Sequence, residues 1–229
     1  MTTNATTPKS APEPVLRMDG SRPLSAERVA ELSAFCDRVE QTGPRAVALV
    51  HVTGAPGAAW TDGLGVQLVN KWERALRRLE RLDVVTVAVA DGECGGPALE
   101  ALLATDYRVA TGTVRLVVPV HDQGAWPGMA VYRLANQAGL AATRRAVLFG
   151  TPITATEALA ARLVDEVVAD AGTALARAAL LAGRFDGPEL AIRRRLMLEA
   201  TTTSFEDALG SHLAACDRML RRTAAEVTV

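Results

Sequence analysis

Two short runs constrain this chain more than anything else in it: Ala46-Val47-Ala48-Leu49-Val50-His51-Val52 and Val84-Val85-Thr86-Val87-Ala88-Val89-Ala90. Each is nearly continuous in apolar side chains, the pattern of a strand buried on both faces. Between them Val69, Trp72, Leu76 and Leu79 recur at helical spacing, with Arg74, Arg77, Arg78 and Arg81 on the other sides. Strand, amphipathic helix and second buried strand predict a parallel sheet covered by helices, hence an α/β fold.

The flanking sequence extends that pattern. Val15 to Met18 predicts a short strand and Asp19-Gly20 a turn. Ser25 caps a helix whose Val29, Leu32, Phe35 and Val39 share one face until Thr42-Gly43-Pro44 ends it. After the second buried run, Asp91 to Gly96 reads as a loop, and Pro97 sits in the first turn of a short helix, where its missing N–H costs nothing. Tyr107 to Ala110 and Val114 to Val118 predict further strands, and Pro127-Gly128 opens another helix. Thr154-x-x-Glu157 is a capping box for a helix through Arg162, and Val164 to Val168 looks extended. Residues 171 to 225 read as helical throughout. The expected organisation is a polar tail over 1–13, a core over 14–185 and a helical C-terminal region over 186–229.

Charge and cysteine usage exclude several functions. With 25 basic against 26 acidic side chains the net charge is −1, so no global field draws the chain to nucleic acid or to an anionic membrane. Cys36, Cys94 and Cys216 are odd in number, far apart and free of C-x-x-C spacing, which argues against a zinc site or a disulfide framework. No apolar run approaches the ~18 residues of a spanning helix, and the N-terminus lacks the basic and apolar regions of a secretory signal. A cytoplasmic location, with no metal, membrane or nucleic-acid partner, is expected.

Gly92-x-x-Gly95-Gly96 lies between a buried strand and a helix, where glycines let a backbone approach a ligand. It has neither the G-x-G-x-x-G spacing of a dinucleotide site nor the G-K-[ST] ending of a P-loop. The wider segment is more specific. Asp91-Gly92, Gly96, Glu100 and Asp106, followed by Pro119, Gly124, Pro127-Gly128 and Arg133-Leu134, resemble the signature of the crotonase (enoyl-CoA hydratase/isomerase) superfamily. Phe149-Gly150-x-Pro152-Ile153-Thr154-Ala155-x-Glu157-Ala158 and Leu163-Val164 are similar to its late helix and strand.

The resemblance implies a spiral core of repeated ββα units with a helical C-terminal region, assembled as a homotrimer or hexamer. It implies an acyl-CoA substrate, with coenzyme A entering as part of that substrate and no separate cofactor. Two backbone N–H groups would hold the thioester oxygen, each such donor being worth about 3 kcal/mol in the transition state. Ala59-Trp60-Thr61-Asp62-Gly63 resembles the first oxyanion loop, with the Asp62 N–H as donor. The second donor position coincides with Pro97, which has no N–H. Either Gly96 supplies the bond instead or the hole has lost half its donors.

Glu100 matches the first catalytic carboxylate of the family, whereas the position of the second, after Pro119, is Val120. Water activation by two carboxylates is therefore not expected, and proton shuttling by Glu100 alone is. His121 is a candidate replacement acid or base, its plainer reading being a solvated loop histidine. Asp106 matches a structural aspartate. The arginines of the second helix and Arg193-Arg194-Arg195 read as solvated faces, the alternative being contacts to coenzyme A phosphates.

Within the superfamily the chain is most similar to the small accessory crotonases of the dihydroxyphenylglycine pathway in glycopeptide antibiotic biosynthesis. That likeness implies help to a type III polyketide synthase making 3,5-dihydroxyphenylacetyl-CoA from malonyl-CoA, through dehydration and aromatisation of the cyclised thioester. Two other readings stand beside it: a non-catalytic scaffold that binds and stimulates the synthase, and a stand-alone enoyl-CoA hydratase or isomerase.

Overall fold

The computed structural model describes residues 14–121, 124–182 and 186–227; the expected tail, 1–13, lies outside them. β1 (Val15–Asp19), α1 (Ala26–Thr42), β2 (Val47–Gly54), α2 (Val66–Glu80) and β3 (Val85–Gly95) alternate as the apolar pattern requires. α3 (Pro97–Leu103), β4 (Tyr107–Thr111), β5 (Arg115–Val117) and a small hairpin of β6 (Val120–His121) and β7 (Gly124–Ala125) follow. Then come α4 (Met129–Phe149), β8 (Ile153–Thr154), α5 (Ala155–Ala160), β9 (Glu166–Val168), α6 (Ala171–Ala182), α7 (Gly187–Glu199) and α8 (Phe205–Val227).

The main sheet runs β1-β2-β3-β4-β9 with every neighbouring pair parallel, as an α/β fold demands. Alternation along its strands explains why the runs are apolar without a break. Ala48, Val50, Val52, Ala88 and Ala90 pack with Leu32, Phe35, Leu76, Leu79 and Leu102, while Val47, Leu49, Val85, Val87 and Val89 pack on the opposite face with Val109, Ala174 and Leu190. Both faces are thus covered by helices.

The expected loop at Asp91–Gly96 is instead, as far as Gly95, the second half of β3. Gly92 adopts φ +64°, the register shifts opposite Val52 and Gly54, and the bent strand leaves β4 to pair Glu93–Gly95 with Arg115–Val117 of β5. A glycine permits this turn without steric penalty, so pairing resumes beyond it. Asp91 fastens the bend: its Oδ1 accepts from Thr111 Oγ1 at 2.6 Å and Thr113 Oγ1 at 3.1 Å. Those bonds hold its carboxyl below the usual range.

The helical C-terminal stretch is made of three helices among the described residues, α6, α7 and α8. Asp186 caps α7 by accepting from the Glu189 N–H, and Ser204 caps α8 through the Asp207 N–H after a run of threonines. Thr154 and Glu157 form the expected capping box, though α5 ends at Ala160. Arg193 and Arg195 are exposed as anticipated, but Arg194 is not a solvated side chain. It is buried, donates to the carbonyls of Glu80 (2.9 Å), Leu82 (2.6 Å) and Val84 (3.3 Å), and pairs with Asp106 at 3.2 Å. Asp106 in turn accepts from the Thr86 N–H (3.0 Å) and hydroxyl (2.9 Å), which gives it the structural part expected of it.

Candidate active site

β3 delivers the chain to α3 through Gly96, the helix N-cap, whose φ of +51° suits glycine. A Cβ there would stand 3.0 Å from the ring of Pro56. Pro97 then occupies the first helical position. Every residue of α3 is buried, so the helix carries the Glu100 carboxyl inside with it. Glu100 Oε2 accepts a 2.6 Å hydrogen bond from Trp72 Nε1 of α2. Oε1 lies toward Gly128, where an added Cβ would be 3.2 Å from it. Burial, reinforced by the nearby Glu73 carboxylate, pushes the Glu100 carboxyl up to about 7 against the opposing pull of Trp72 and Arg133.

A cavity of about 20 Å³ adjoins Glu100, lined among others by Trp60, Trp72, Gly96, Pro97, Pro119 and Trp126. That is the room of one water molecule. All three tryptophans of the chain are in this lining. Trp60 and Trp126 meet edge to face, centroids 4.9 Å apart at 76°, a favoured aromatic geometry. Trp60 Nε1 is buried and has no hydrogen-bond partner among the described residues, a state that costs about 1–3 kcal/mol. Among the described residues, Glu100 is the only ionisable side chain lining this cavity. Glu73, next in sequence to Trp72, is held by Arg133 at 3.0 Å in a largely buried pair, with Glu80 3.7 Å from the same guanidinium.

A larger cavity of about 610 Å³ opens beyond the far end of α3, with Arg77, Arg108, Arg133, Arg162 and Arg194 in its wall. Four of these guanidiniums are engaged within the protein. Arg77 and Arg133 meet Glu80, Arg194 meets Asp106, and Arg108 donates to the carbonyls of Leu103, Thr105 and Leu163. The small cavity thus offers a carboxyl without a counter-ion, Glu100, whereas the wall of the larger one is built mainly of arginines held by carboxylates and carbonyls.

An enoyl-CoA hydratase/isomerase family model matches residues 65–228, well over half of the chain. A relative from Amycolatopsis orientalis described as an enoyl-CoA-hydratase is 57% identical over 212 residues, covering 93% of this chain and 98% of the relative. The chain belongs to the enoyl-CoA hydratase/isomerase family. Solved structures agree on the fold. An enoyl-CoA hydratase/isomerase from Marinobacter aquaeolei superposes with a TM-score of 0.70 at 19% identity, covering 96% of this chain and 90% of the other. A Thermobifida fusca YX protein solved in complex with acetoacetyl-CoA gives 0.71 at 20% identity, covering 93% of each.

Of the residues given chemical roles, Glu100 and Gly96 meet at one cavity while Asp62 and His121 stand off it. Asp62 is exposed and its N–H donates to the Ala59 carbonyl at 3.1 Å, inside a chain of turns from Gly57 to Leu64. His121 is exposed on β6, as is Val120 beside it. Motif reasoning did not gather the tryptophans, which come from a loop, a helix and a second loop far apart in sequence. The available signal was compositional: in a chain with 4% aromatic residues, two of three tryptophans lie in Gly- and Pro-rich loops, where so large an apolar ring needs something to cover it.

Proposed function

We propose that the protein acts on a cyclised polyketide acyl-CoA thioester, assisting a type III polyketide synthase to form 3,5-dihydroxyphenylacetyl-CoA by dehydration and aromatisation. The observation that carries the reading is Glu100, the lone ionisable group at the cavity, with its carboxyl pushed up to about 7. Such a group holds and releases a proton with comparable ease at neutral pH. Its carboxylate removes the α-proton of a β-hydroxy thioester, leaving an enolate. The same carboxyl then returns that proton to the β-hydroxyl, which departs as water while the enolate collapses to a carbon–carbon double bond conjugated with the thioester. Glu100 ends as it began, and no second carboxylate is needed. The indole walls of Trp60 and Trp126 favour a flat, ring-forming acyl group. A cytoplasmic homotrimer or hexamer is part of the same proposal.

The test is the rate of 3,5-dihydroxyphenylacetyl-CoA formation from malonyl-CoA by the cognate synthase, alone, with wild type, and with Glu100→Gln. Stimulation by wild type only supports proton transfer at Glu100. One observation favours the scaffold reading instead: a cavity of about 20 Å³ does not hold an acyl group unless a tryptophan moves. Equal stimulation by wild type and Glu100→Gln decides for the scaffold. Turnover of crotonyl-CoA without any synthase decides for a stand-alone hydratase, the description borne by the Amycolatopsis orientalis relative.

A further inference from the structure

The acyl-CoA reading requires donors for the thioester oxygen, and two of the three backbone positions named for them, Pro97 and Asp62, do not supply one. Pro97 has no N–H, and the Asp62 N–H is spent on the Ala59 carbonyl at 3.1 Å. The Trp72 indole is committed to Glu100 at 2.6 Å. Trp60 lines the same cavity, and its Nε1 is out of solvent with no acceptor among the described residues. Native interiors rarely leave a buried donor idle, and those that do commonly reserve it for something that binds. The edge-to-face contact with Trp126 fixes the plane of the ring, at 4.9 Å between centroids. The cavity it lines admits one oxygen-sized atom.

We propose that the Trp60 indole N–H is a side-chain oxyanion donor, binding the thioester oxygen of the acyl-CoA in place of the backbone N–H lost at Pro97. A neutral donor in a dry pocket gains most when charge develops on its acceptor, so Trp60 grips the enolate more firmly than the ground-state thioester. Proton removal by Glu100 and charge capture by Trp60 then take place on opposite ends of one three-atom unit. The proposal rests on the acyl-CoA reading above.

Acetoacetyl-CoA serves as the probe because its enolate has a near-ultraviolet band of its own, while quenching of tryptophan emission reports binding separately. Wild-type protein is expected to quench and to develop the enolate band. Trp60→Phe keeps a ring against Trp126 and loses the N–H. It should bind the probe within a few-fold of wild type yet raise the pH at which bound enolate appears by about two units, the roughly 100-fold loss typical of one missing oxyanion donor. Trp60→His, with a ring N–H at the corresponding position, should recover at least about tenfold of it. An enolate band in Trp60→Phe equal to that of wild type overturns the proposal and returns the donor role to Gly96. Absence of any probe binding by wild type overturns the acyl-CoA reading itself, a different result. A measurement on wild type alone guards against a misfolded variant. With indole nitrogens labelled, the Trp60 N–H signal should move downfield on probe binding, and a titration that moves none of the chain's three indole signals downfield overturns the proposal.

Discussion

With its carboxyl pushed up to about 7, Glu100 is half protonated at neutral pH, whereas in the unfolded chain it ionises near 4.5. Between those values the folded state binds the extra proton, so this group's contribution to stability falls as pH rises from about 4.5 to about 7. Glu100→Gln keeps an acceptor for Trp72 and removes the titration. It should match wild type at pH 4 and exceed it at pH 8 by up to about 3 kcal/mol, read from urea unfolding at the two pH values. Trp72→Phe removes the bond that lowers the Glu100 pKa, so the limb of the pH–rate profile set by this group should move to higher pH. Gly128 is restricted by the same site: a Cβ there would lie 2.5 Å from Trp126 Nε1 and 3.2 Å from Glu100 Oε1. Gly128→Ala should displace Trp126 and lower turnover at least tenfold, with the displacement visible in near-ultraviolet circular dichroism. Glu100 was legible in the sequence because its spacing from Gly96 and Asp106 lies within one continuous segment. The tryptophan cluster was not, because it exists only once three distant segments are packed together.

Among the elements, α7 illustrates what periodicity could and could not reveal. It has no clean apolar face, so sequence does not distinguish Arg194 from Arg193 and Arg195; what singles it out is the turn from α2 to β3, whose Glu80, Leu82 and Val84 carbonyls need donors. Removing this guanidinium strands the Asp106 carboxylate and leaves those carbonyls short of donors in the interior. Arg194→Ala should therefore destabilise the fold by about 3–5 kcal/mol, measured by chemical denaturation. β3 shows the converse. Its apolar half was plain from sequence, but Glu93–Gly95 became a strand only through β5, a pairing that local composition does not encode. α8 rests on α7 largely through charge, with Arg218 and Arg222 meeting Glu189 at 3.1 and 2.8 Å and Arg222 reaching Asp186 at 3.2 Å. Arginines half open to water are screened by salt. Hydrogen exchange in residues 205–227 should accelerate in 1 M NaCl while that of β2 and β3 stays unchanged.

Taken whole, the protein leaves apolar side chains uncovered where its C-terminal helices depart from the sheet: Phe205 is 76% exposed, Leu213 59% and Leu220 70%. So much exposed apolar surface on one helix marks an interaction face. The proposed homotrimer or hexamer would bury these side chains between copies, and Phe205→Glu with Leu213→Glu should then reduce the mass measured by light scattering to that of one chain. The order β1-β2-β3-β4-β9 has a further consequence, for synthesis. β4 is complete at Thr111, yet its outer edge at Val109, Ala110 and Thr111 waits for Glu166–Val168 of β9. A nascent chain halted before Val168 presents a bare parallel strand edge to its neighbours on the polysome, a template for wrong pairing. Split or truncated versions of the protein should accordingly be cut after β9, never in the long interval that separates it from β4.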